Sequence, residues 1–138
     1  MPTAYIRVAV HFVWATWDRK PSTLPAWEER LYAAIAAISK QRHCPVYAVN
    51  GTADHLHVLA RIDANTSLAD LVHRMKGTTS HLINHAFAPP EPFRWQASYA
   101  AFSVDKENMD RVRTYVHNQK AHHAANTFLP DWERTQTL

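Results

Sequence analysis

The sequence predicts an α+β fold, and three observations support this prediction. β-Branched and aromatic residues, which favour strands, are concentrated in residues 5–17, 46–49, 55–62 and 98–104. Apolar residues recur at helical spacing in residues 25–42, 66–87 and 106–126. The first six elements follow the β-α-β-β-α-β order of a ferredoxin-like antiparallel sheet with both helices on one face. The seventh, an extra C-terminal helix, is available to cover the opposite face.

Length and composition limit the classes of protein to consider. The 138 residues, 46% hydrophobic and 20% charged, predict one globular domain spanning 1–138, with a tail at 128–138 that docks loosely. No signal peptide or membrane span is predicted, and a single cysteine, Cys44, fits a reducing, cytoplasmic setting. Two glycines leave no phosphate-binding loop. The net charge of +3 permits nucleic-acid binding without establishing it.

The first two elements have clear boundaries. Residues 5–17 form a strand that ends in a polar loop, and Trp17 at its end is suited to rim packing or to stacking on an unpaired base. Pro25 suits the first turn of the helix over 25–42, and Pro45 prevents its extension. We expect the amphipathic face of this helix to pack on the sheet.

A hairpin is predicted next. Asn50-Gly51 favours a tight turn between strands 46–49 and 55–62, because both residues tolerate positive φ. Side chains alternate across a strand, so His55 and His57 share the face opposite the apolar residues, about 7 Å apart. That spacing suits two imidazoles that bind one cation. Two hydrogen-bonded histidines on a half-solvated sheet are the structural alternative.

The helix over 66–87 carries cations and hydroxyls beside its apolar stripe. Thr66 or Ser67 is suited to cap it, and Gly77 predicts a possible break. Such a polar face is usually only solvated, but it also suits a DNA phosphate backbone. The candidate DNA-binding residues are Arg74, Lys76, Thr78 and Thr79.

The last helix brings a second group of polar side chains. Asp105 is suited to cap it, and residues four apart share a helical face, so Tyr115 lies beside Gln119 with His122 close by. If this helix covers the open face of the sheet, these side chains meet His55 and His57. A core or rim position for Tyr115 is the structural alternative.

These motifs together resemble one family. The chain resembles the small single-tyrosine HUH transposases, in which HUH denotes His-hydrophobe-His and which mobilise insertion sequences through single-stranded DNA. Family-like glycines are absent around Tyr99. The resemblance covers nearly the whole chain except the tail, and it rests on these segments in order: residues 11–16, 54–57, 76–80, 93–96, 101–104, 115–119 and 122–123.

The resemblance implies a metal-dependent DNA strand transferase. Tyr115 would be the nucleophile that forms a 5′-phosphotyrosine and releases a 3′-hydroxyl, while His55, His57 and Gln119 would hold Mg²⁺ or Mn²⁺. Asp54 and His122 would be supporting groups, although Asp54 could equally shape the turn. The substrate would be a single-stranded DNA hairpin. The family also suggests a homodimer in which the tyrosine helix serves the partner's site.

Three alternatives remain open at this stage. A domesticated relative would use the same chemistry for cellular hairpin processing. A metal-dependent hydrolase would use His55 and His57 with water as its nucleophile, and would not need Tyr115. A non-enzymatic module would bind single-stranded nucleic acid on its sheet, and would need neither the histidines nor a metal.

Overall fold

Four antiparallel strands form the sheet in the described part of the chain. A computed structural model of the protein describes residues 4–23, 25–124, 129, 130 and 133. The strands lie in the order β2-β3-β1-β4, which is the strand order of the ferredoxin-like pattern. Their bounds are β1 Val8–Ala15, β2 Val46–Gly51, β3 His55–Ile62 and β4 Ala100–Val104.

The helices confirm the predicted α+β architecture. Two long helices lie between the strands and two shorter ones follow β4: α1 Pro25–Gln41, α2 Leu68–Leu82, α3 Met109–His117 and α4 Gln119–Ala124. A π-helical turn, Ile83–Phe87, extends α2. Among the residues described, no helix combines the length and apolar character that crossing a membrane requires.

The core fills the space between the sheet and the two long helices. Alternate residues of β1 and β3 point into it and are almost fully buried, together with apolar residues from α1 and α2. Burying a large apolar side chain contributes about 1.5–3 kcal/mol each, so this layer supplies most of the hydrophobic stabilisation. Its central members are Phe12, Trp14, Leu56, Val58, Leu31, Ile35, Leu71 and Met75.

The predicted turn at Asn50-Gly51 is wrong by a few residues. Asn50 pairs with His57 and Gly51 pairs with Leu56, so both residues belong to β2, and the turn follows them. Gly51 has no positive φ. Its glycine is required for another reason, since a Cβ at this position would collide with the His55 carbonyl oxygen. The glycine in the sequence therefore marks a close approach between two backbone segments rather than a turn.

Gly77 does not interrupt the second helix. α2 runs unbroken from Leu68 to Leu82, and a Cβ at Gly77 would meet open space. At the start of α2 the Ser67 hydroxyl accepts a hydrogen bond from the Asp70 backbone N–H at 3.0 Å. Ser67 rather than Thr66 is therefore the cap.

The last helix is interrupted, contrary to the prediction of one element over 106–126. A 3₁₀ turn, Lys106–Asn108, precedes α3, and the backbone at Asn118 (φ −99°, ψ 21°) separates α3 from α4. Residues 125 and 126 lie outside the described residues. Val112 and Val116 of α3 pack on Ala48 and Leu59, so this helix does cover the open face of the sheet.

The first and last strands in the chain, β1 and β4, are shorter than predicted. β1 ends at Ala15, after which Thr16 makes an isolated bridge to Trp95 and Trp17 begins a 3₁₀ turn. β4 begins at Ala100 rather than at residue 98. The chain before β4 serves the core instead, because the side chains of Phe93 and Trp95 are buried beneath α2.

Candidate active site

The two histidines of β3 lie on the sheet face opposite the core, and one nitrogen of each ring is held by a neighbour. His55 Nδ1 lies 2.7 Å from Asp54 Oδ1 and 2.8 Å from Thr52 Oγ1. His57 Nδ1 lies 2.7 Å from His11 Nε2 on the adjacent strand β1. These contacts orient both rings, so that the two Nε2 atoms face the same carboxylate.

That carboxylate belongs to Glu133, in the tail. Its Oε2 lies 2.6 Å from His57 Nε2 and 3.1 Å from His55 Nε2. Its Oε1 accepts a hydrogen bond of 2.5 Å from the Tyr115 hydroxyl and lies 3.3 Å from His123 Nε2. One carboxylate therefore links the two histidines to the tyrosine.

Tyr115 is held from several sides. It lies near the end of α3, is only 4% exposed, and accepts a hydrogen bond of 2.8 Å from the Leu129 backbone N–H. Its ring stacks on His122, with centroids 4.6 Å apart, and lies 6.0 Å from the ring centroid of His57. The structure thus brings Tyr115 to the histidines of its own chain.

Gln119 lies next to this cluster, as the spacing of the last helix predicts. It is the first residue of α4 and is fully buried. Its Oε1 is 3.4 Å from His55 Nε2, and its Nε2 donates to the Tyr115 carbonyl at 3.3 Å. The break at Asn118 does not separate Gln119 from Tyr115, because this hydrogen bond crosses it.

The charges in the cluster are unevenly distributed. Burial opposes protonation of His55, but the carboxylates of Asp54 and Glu133 outweigh it and raise the pKa of His55 to about 9. Burial lowers the pKa of His57 to about 4, despite its contact with Glu133. Burial, together with His57, lowers the pKa of His11 to about 3. His55 is therefore the imidazole that carries charge at neutral pH, and His57 and His11 are neutral.

The acid and the phenol are shifted in opposite directions. Burial alone would raise the pKa of Glu133, but hydrogen bonds from His55 and His57 hold it far below its usual range. Burial and the hydrogen bond to Glu133 raise the pKa of Tyr115 to about 12. Glu133 is therefore a carboxylate and Tyr115 a protonated phenol in this arrangement.

The side chains fit a divalent cation. One ligand atom each from His55, His57 and Glu133 lies within 4.8 Å of the others, and the amide oxygen of Gln119 is adjacent. Two imidazoles with a carboxylate suit a divalent metal. The Nδ1 contacts of both histidines are the outer hydrogen bonds that metal-binding imidazoles normally make.

The predicted DNA-binding residues divide into two groups. Arg74, Lys76 and Thr78 reach the surface of α2 at least in part, and the Lys76 ammonium donates to the Ser98 carbonyl at 3.1 Å. Thr79 is fully buried: its hydroxyl donates to the Met75 carbonyl and accepts from the Trp95 indole N–H. Thr79 therefore supports the core, and its assignment as a DNA contact is withdrawn.

Two residues of the site were missed in the sequence. His11 lies in the predicted first strand, where its alternation with Phe12 and Trp14 places it on the face of His55 and His57. Glu133 had been assigned to a loosely docked tail. No periodicity or spacing marks Glu133, because it enters the site from outside the sheet and its helices.

Comparisons with known proteins assign the chain to a family. Residues 4–119 match the sequence profile of the family described as “Transposase IS200 like”. A search of curated proteins gives no match. The match covers most of the chain, so the protein belongs to the IS200-like transposase family, as the resemblance to single-tyrosine HUH transposases predicted.

Solved structures give the same fold. A candidate transposase from Deinococcus radiodurans R1 superposes with a TM-score of 0.68 at 22% identity, covering 86% of this chain and 96% of that chain. A REP-associated tyrosine transposase bound to a REP hairpin gives a TM-score of 0.64 at 14% identity, covering 93% of this chain and 74% of that one. At these identities the likeness concerns the fold.

Proposed function

We propose that this transposase cleaves and rejoins single-stranded DNA by attack of Tyr115 on a phosphodiester. The observation that carries this proposal is the convergence of Tyr115, His55, His57 and Glu133 in one cluster. A phenol held by the same carboxylate that joins two oriented imidazoles provides a nucleophile beside a candidate cation site. We propose a divalent cation, Mg²⁺ or Mn²⁺, held by His55, His57 and Glu133 with Gln119 beside it.

The chemistry follows from the roles of the side chains. Tyr115 Oη attacks the phosphorus, the P–O3′ bond breaks, and the DNA is left with a 5′-phosphotyrosine and a free 3′-hydroxyl. The phenol is protonated in this arrangement, and its hydrogen bond to Glu133 Oε1 orients it. Its proton is released to water as the new P–O bond forms, and the leaving O3′ takes up a proton from water. A bound cation would polarise the phosphate and help to stabilise the charge that develops there.

The intermediate explains how such an enzyme works without a nucleotide. The phosphotyrosine keeps the energy of the phosphodiester bond, so a 3′-hydroxyl can later attack it and restore a DNA strand. The two glycines of the chain form no phosphate-binding loop that would hold ATP. Asp54 and His122 support the site by contact, Asp54 at the His55 ring and His122 against the Tyr115 ring.

We propose a DNA hairpin as the substrate, because the structural relative described above is bound to a REP hairpin. Arg74, Lys76 and Thr78 on the outer face of α2 are the proposed phosphate contacts. Cation–phosphate contacts release counterions, so binding through these residues weakens as salt rises. Burial lowers the pKa of Lys76, and a DNA phosphate would restore a favourable partner for its charge.

Covalent trapping tests this function. A labelled single-stranded hairpin, incubated with the protein and Mn²⁺, should yield a protein–DNA adduct that survives denaturation. Tyr115→Phe should form no adduct, because it keeps the ring packing and lacks the nucleophilic oxygen. Tyr32→Phe is the matched control, since the Tyr32 hydroxyl also lies in a polar network, bonded to Asn50 at 3.2 Å. An adduct on Tyr115→Phe would contradict the nucleophile assignment.

Whether Tyr115 acts in the site of its own chain or in that of a partner chain is a separate question. The sequence-based prediction places the tyrosine helix in the partner's site of a homodimer, whereas a single chain here brings Tyr115 within 6.0 Å of His57, between ring centroids. This contact favours a self-contained site. Mixing Tyr115→Phe with the His55→Ala/His57→Ala double variant distinguishes the two arrangements. Adduct on the histidine-variant chain would establish exchange between partners; an inactive mixture would support the self-contained site.

A further inference from the structure

Trp17 and Arg94 form a solvent-accessible pair at the end of the sheet. The Trp17 side chain is 39% exposed. The guanidinium carbon of Arg94, itself exposed, lies 4.1 Å from the ring centroid of Trp17. The Trp17 backbone N–H donates to the Arg94 carbonyl at 3.0 Å, which fixes the two residues relative to each other. The two planar groups, an indole and a guanidinium, therefore contact each other and are already ordered.

The backbone after Trp17 adopts an unfavourable conformation. Asp18 (φ 53°) and Arg19 (φ 50°) both lie in the left-handed region, although neither is glycine. The turn is closed by hydrogen bonds from Arg19 N–H to the Thr16 carbonyl and from Lys20 N–H to the Trp17 carbonyl, each 3.1 Å. Such strain tends to collect at binding and catalytic sites, where it positions a side chain.

Two cavities share Arg94 in their linings. One, of about 490 Å³, is lined by residues including Lys76, Trp95 and Tyr99; the other, of about 380 Å³, by residues including Trp17 and Lys20. Both volumes fall in the range of roughly 300–1,000 Å³ that is typical of small-ligand sites. Both linings combine aromatic side chains with a lysine, which suits a planar base joined to a phosphate.

This surface connects directly to the candidate active site. The Thr16 backbone N–H donates to the Asp54 carbonyl at 2.8 Å, and the Arg19 guanidinium lies 3.8 Å from the Asp54 carboxylate. Asp54 in turn holds the His55 ring. The turn that includes Trp17 therefore adjoins the residue that orients His55.

We propose that Trp17, Arg94 and the two cavities form a stacking platform for unpaired bases of the DNA strand that enters the active site. The inference rests on the proposed function and adds to it the element that holds the single-stranded part of the substrate. Stacking requires only the flat face of a base, so the platform binds unpaired DNA with little preference for sequence. The hairpin stem would contact the cationic face of α2, which adjoins the platform at Lys76 in the lining of the first cavity.

Binding measurements with matched oligonucleotides test the platform. The first probe is a labelled hairpin with unpaired flanks; the second is the same hairpin with abasic residues in the flanks. Affinities are measured in chelator, so that cleavage does not contribute. We expect Trp17→Ala to weaken binding of the first probe by roughly 5- to 150-fold and to leave binding of the second unchanged. Trp17→Phe should restore part of the affinity.

Arg94→Ala has a matched control on another surface. The Arg113 guanidinium carbon lies 5.3 Å from the ring centroid of Tyr47, so Arg113→Ala also removes one charge from a cation–π pair. We expect Arg94→Ala to weaken binding of the hairpin with intact flanks more than binding of the hairpin with abasic flanks. Arg113→Ala should show no such difference between the two probes. Equal losses of affinity on both probes would show that Arg94 acts by charge alone and would overturn the platform.

The outcomes separate this inference from the proposed function. Unchanged affinity in folded Trp17→Ala, with adduct still formed in Mn²⁺, would refute the platform and leave the Tyr115 chemistry standing. Absence of both binding and adduct in the unaltered protein would refute the proposed function and the platform together. Thermal unfolding of each variant establishes that a loss of binding does not reflect a loss of fold.

Discussion

The two faces of the sheet are equally well buried but are built from different chemistry. On β3, Leu56 and Val58 face the core, while His55 and His57, their immediate neighbours, face the active site. All four are at most 3% exposed. One face therefore shows how a chain buries apolar surface, and the other how it buries polar groups by giving each a partner.

The difference lies in what each face requires of its surroundings. An apolar side chain needs only good packing, so many sequences can satisfy the core. Burying an imidazole without hydrogen-bond partners lowers the free energy of unfolding by about 1–3 kcal/mol. Here each histidine of β3 has partners at both ring nitrogens, supplied by β1, the β2–β3 turn and the tail. The polar face is thus specified by distant parts of the chain.

Substitutions on adjacent positions of β3 should separate activity from stability. We expect His55→Ala/His57→Ala to abolish the covalent DNA adduct, because both imidazoles of the cation site are removed. We expect Leu56→Ala to cost about 2–5 kcal/mol of unfolding free energy and to retain adduct formation while folded. Adduct trapping and chemical denaturation of both proteins measure the two effects.

The reverse result would overturn this division. Full adduct formation by the double histidine variant, or by the unaltered protein in excess chelator, would show that the polar face is structural. Val58→Ala is the second core variant for the comparison, since Val58 directly follows His57 in the sequence and its side chain points to the opposite face.

The fold was predictable from the sequence because its signals are local. Alternation in residues 55–62 and the apolar stripes of α1 and α2 each report on their own element, and the order of elements then defines the sheet. Errors occurred where tertiary contact overrides local preference. Asn50-Gly51 has the sequence of a turn, yet a close approach to His55 draws Gly51 into β2.

The site was only partly predictable for the same reason. His55, His57, Tyr115 and Gln119 were found because each pair shares a strand face or a helix face. Glu133 contacts these residues from the tail, far along the chain from β3, and a single glutamate outside any periodic segment has no pattern to reveal it. Its role depends on where Glu133 lies in the folded chain, which no local rule specifies.

The contribution of Glu133 to cation binding can be measured directly. We expect Glu133→Gln to weaken Mn²⁺ binding by about 100-fold or more, since even the loss of an outer partner costs 10–100-fold. Gln119→Ala should cost less than about tenfold, because water can replace a neutral amide. Calorimetry or Mn²⁺ spin resonance reads these affinities without DNA. Glu107→Gln, an exposed change outside the cluster, is the control.

An increase in the Mn²⁺ affinity of Glu133→Gln would contradict the assignment of Glu133 as a ligand. Tighter Mn²⁺ binding by Glu133→Gln would mean that the carboxylate competes with the cation for the two histidines. In that case Gln119 would be the third protein ligand, as the sequence-based prediction holds.

A further comparison concerns adjacent residues of β1. His11 Nε2 lies 2.7 Å from His57 Nδ1 and the two rings stack with centroids 5.0 Å apart, whereas Phe12 faces the core. His11→Phe keeps a ring at this position but removes the partner that orients His57, so we expect Mn²⁺ binding to weaken about tenfold. Phe12→Leu should instead lower the unfolding midpoint and leave the Mn²⁺ affinity unchanged. If His11→Phe binds Mn²⁺ as tightly as the unaltered protein, packing alone positions His57, and the polar face needs fewer hydrogen bonds than its geometry suggests.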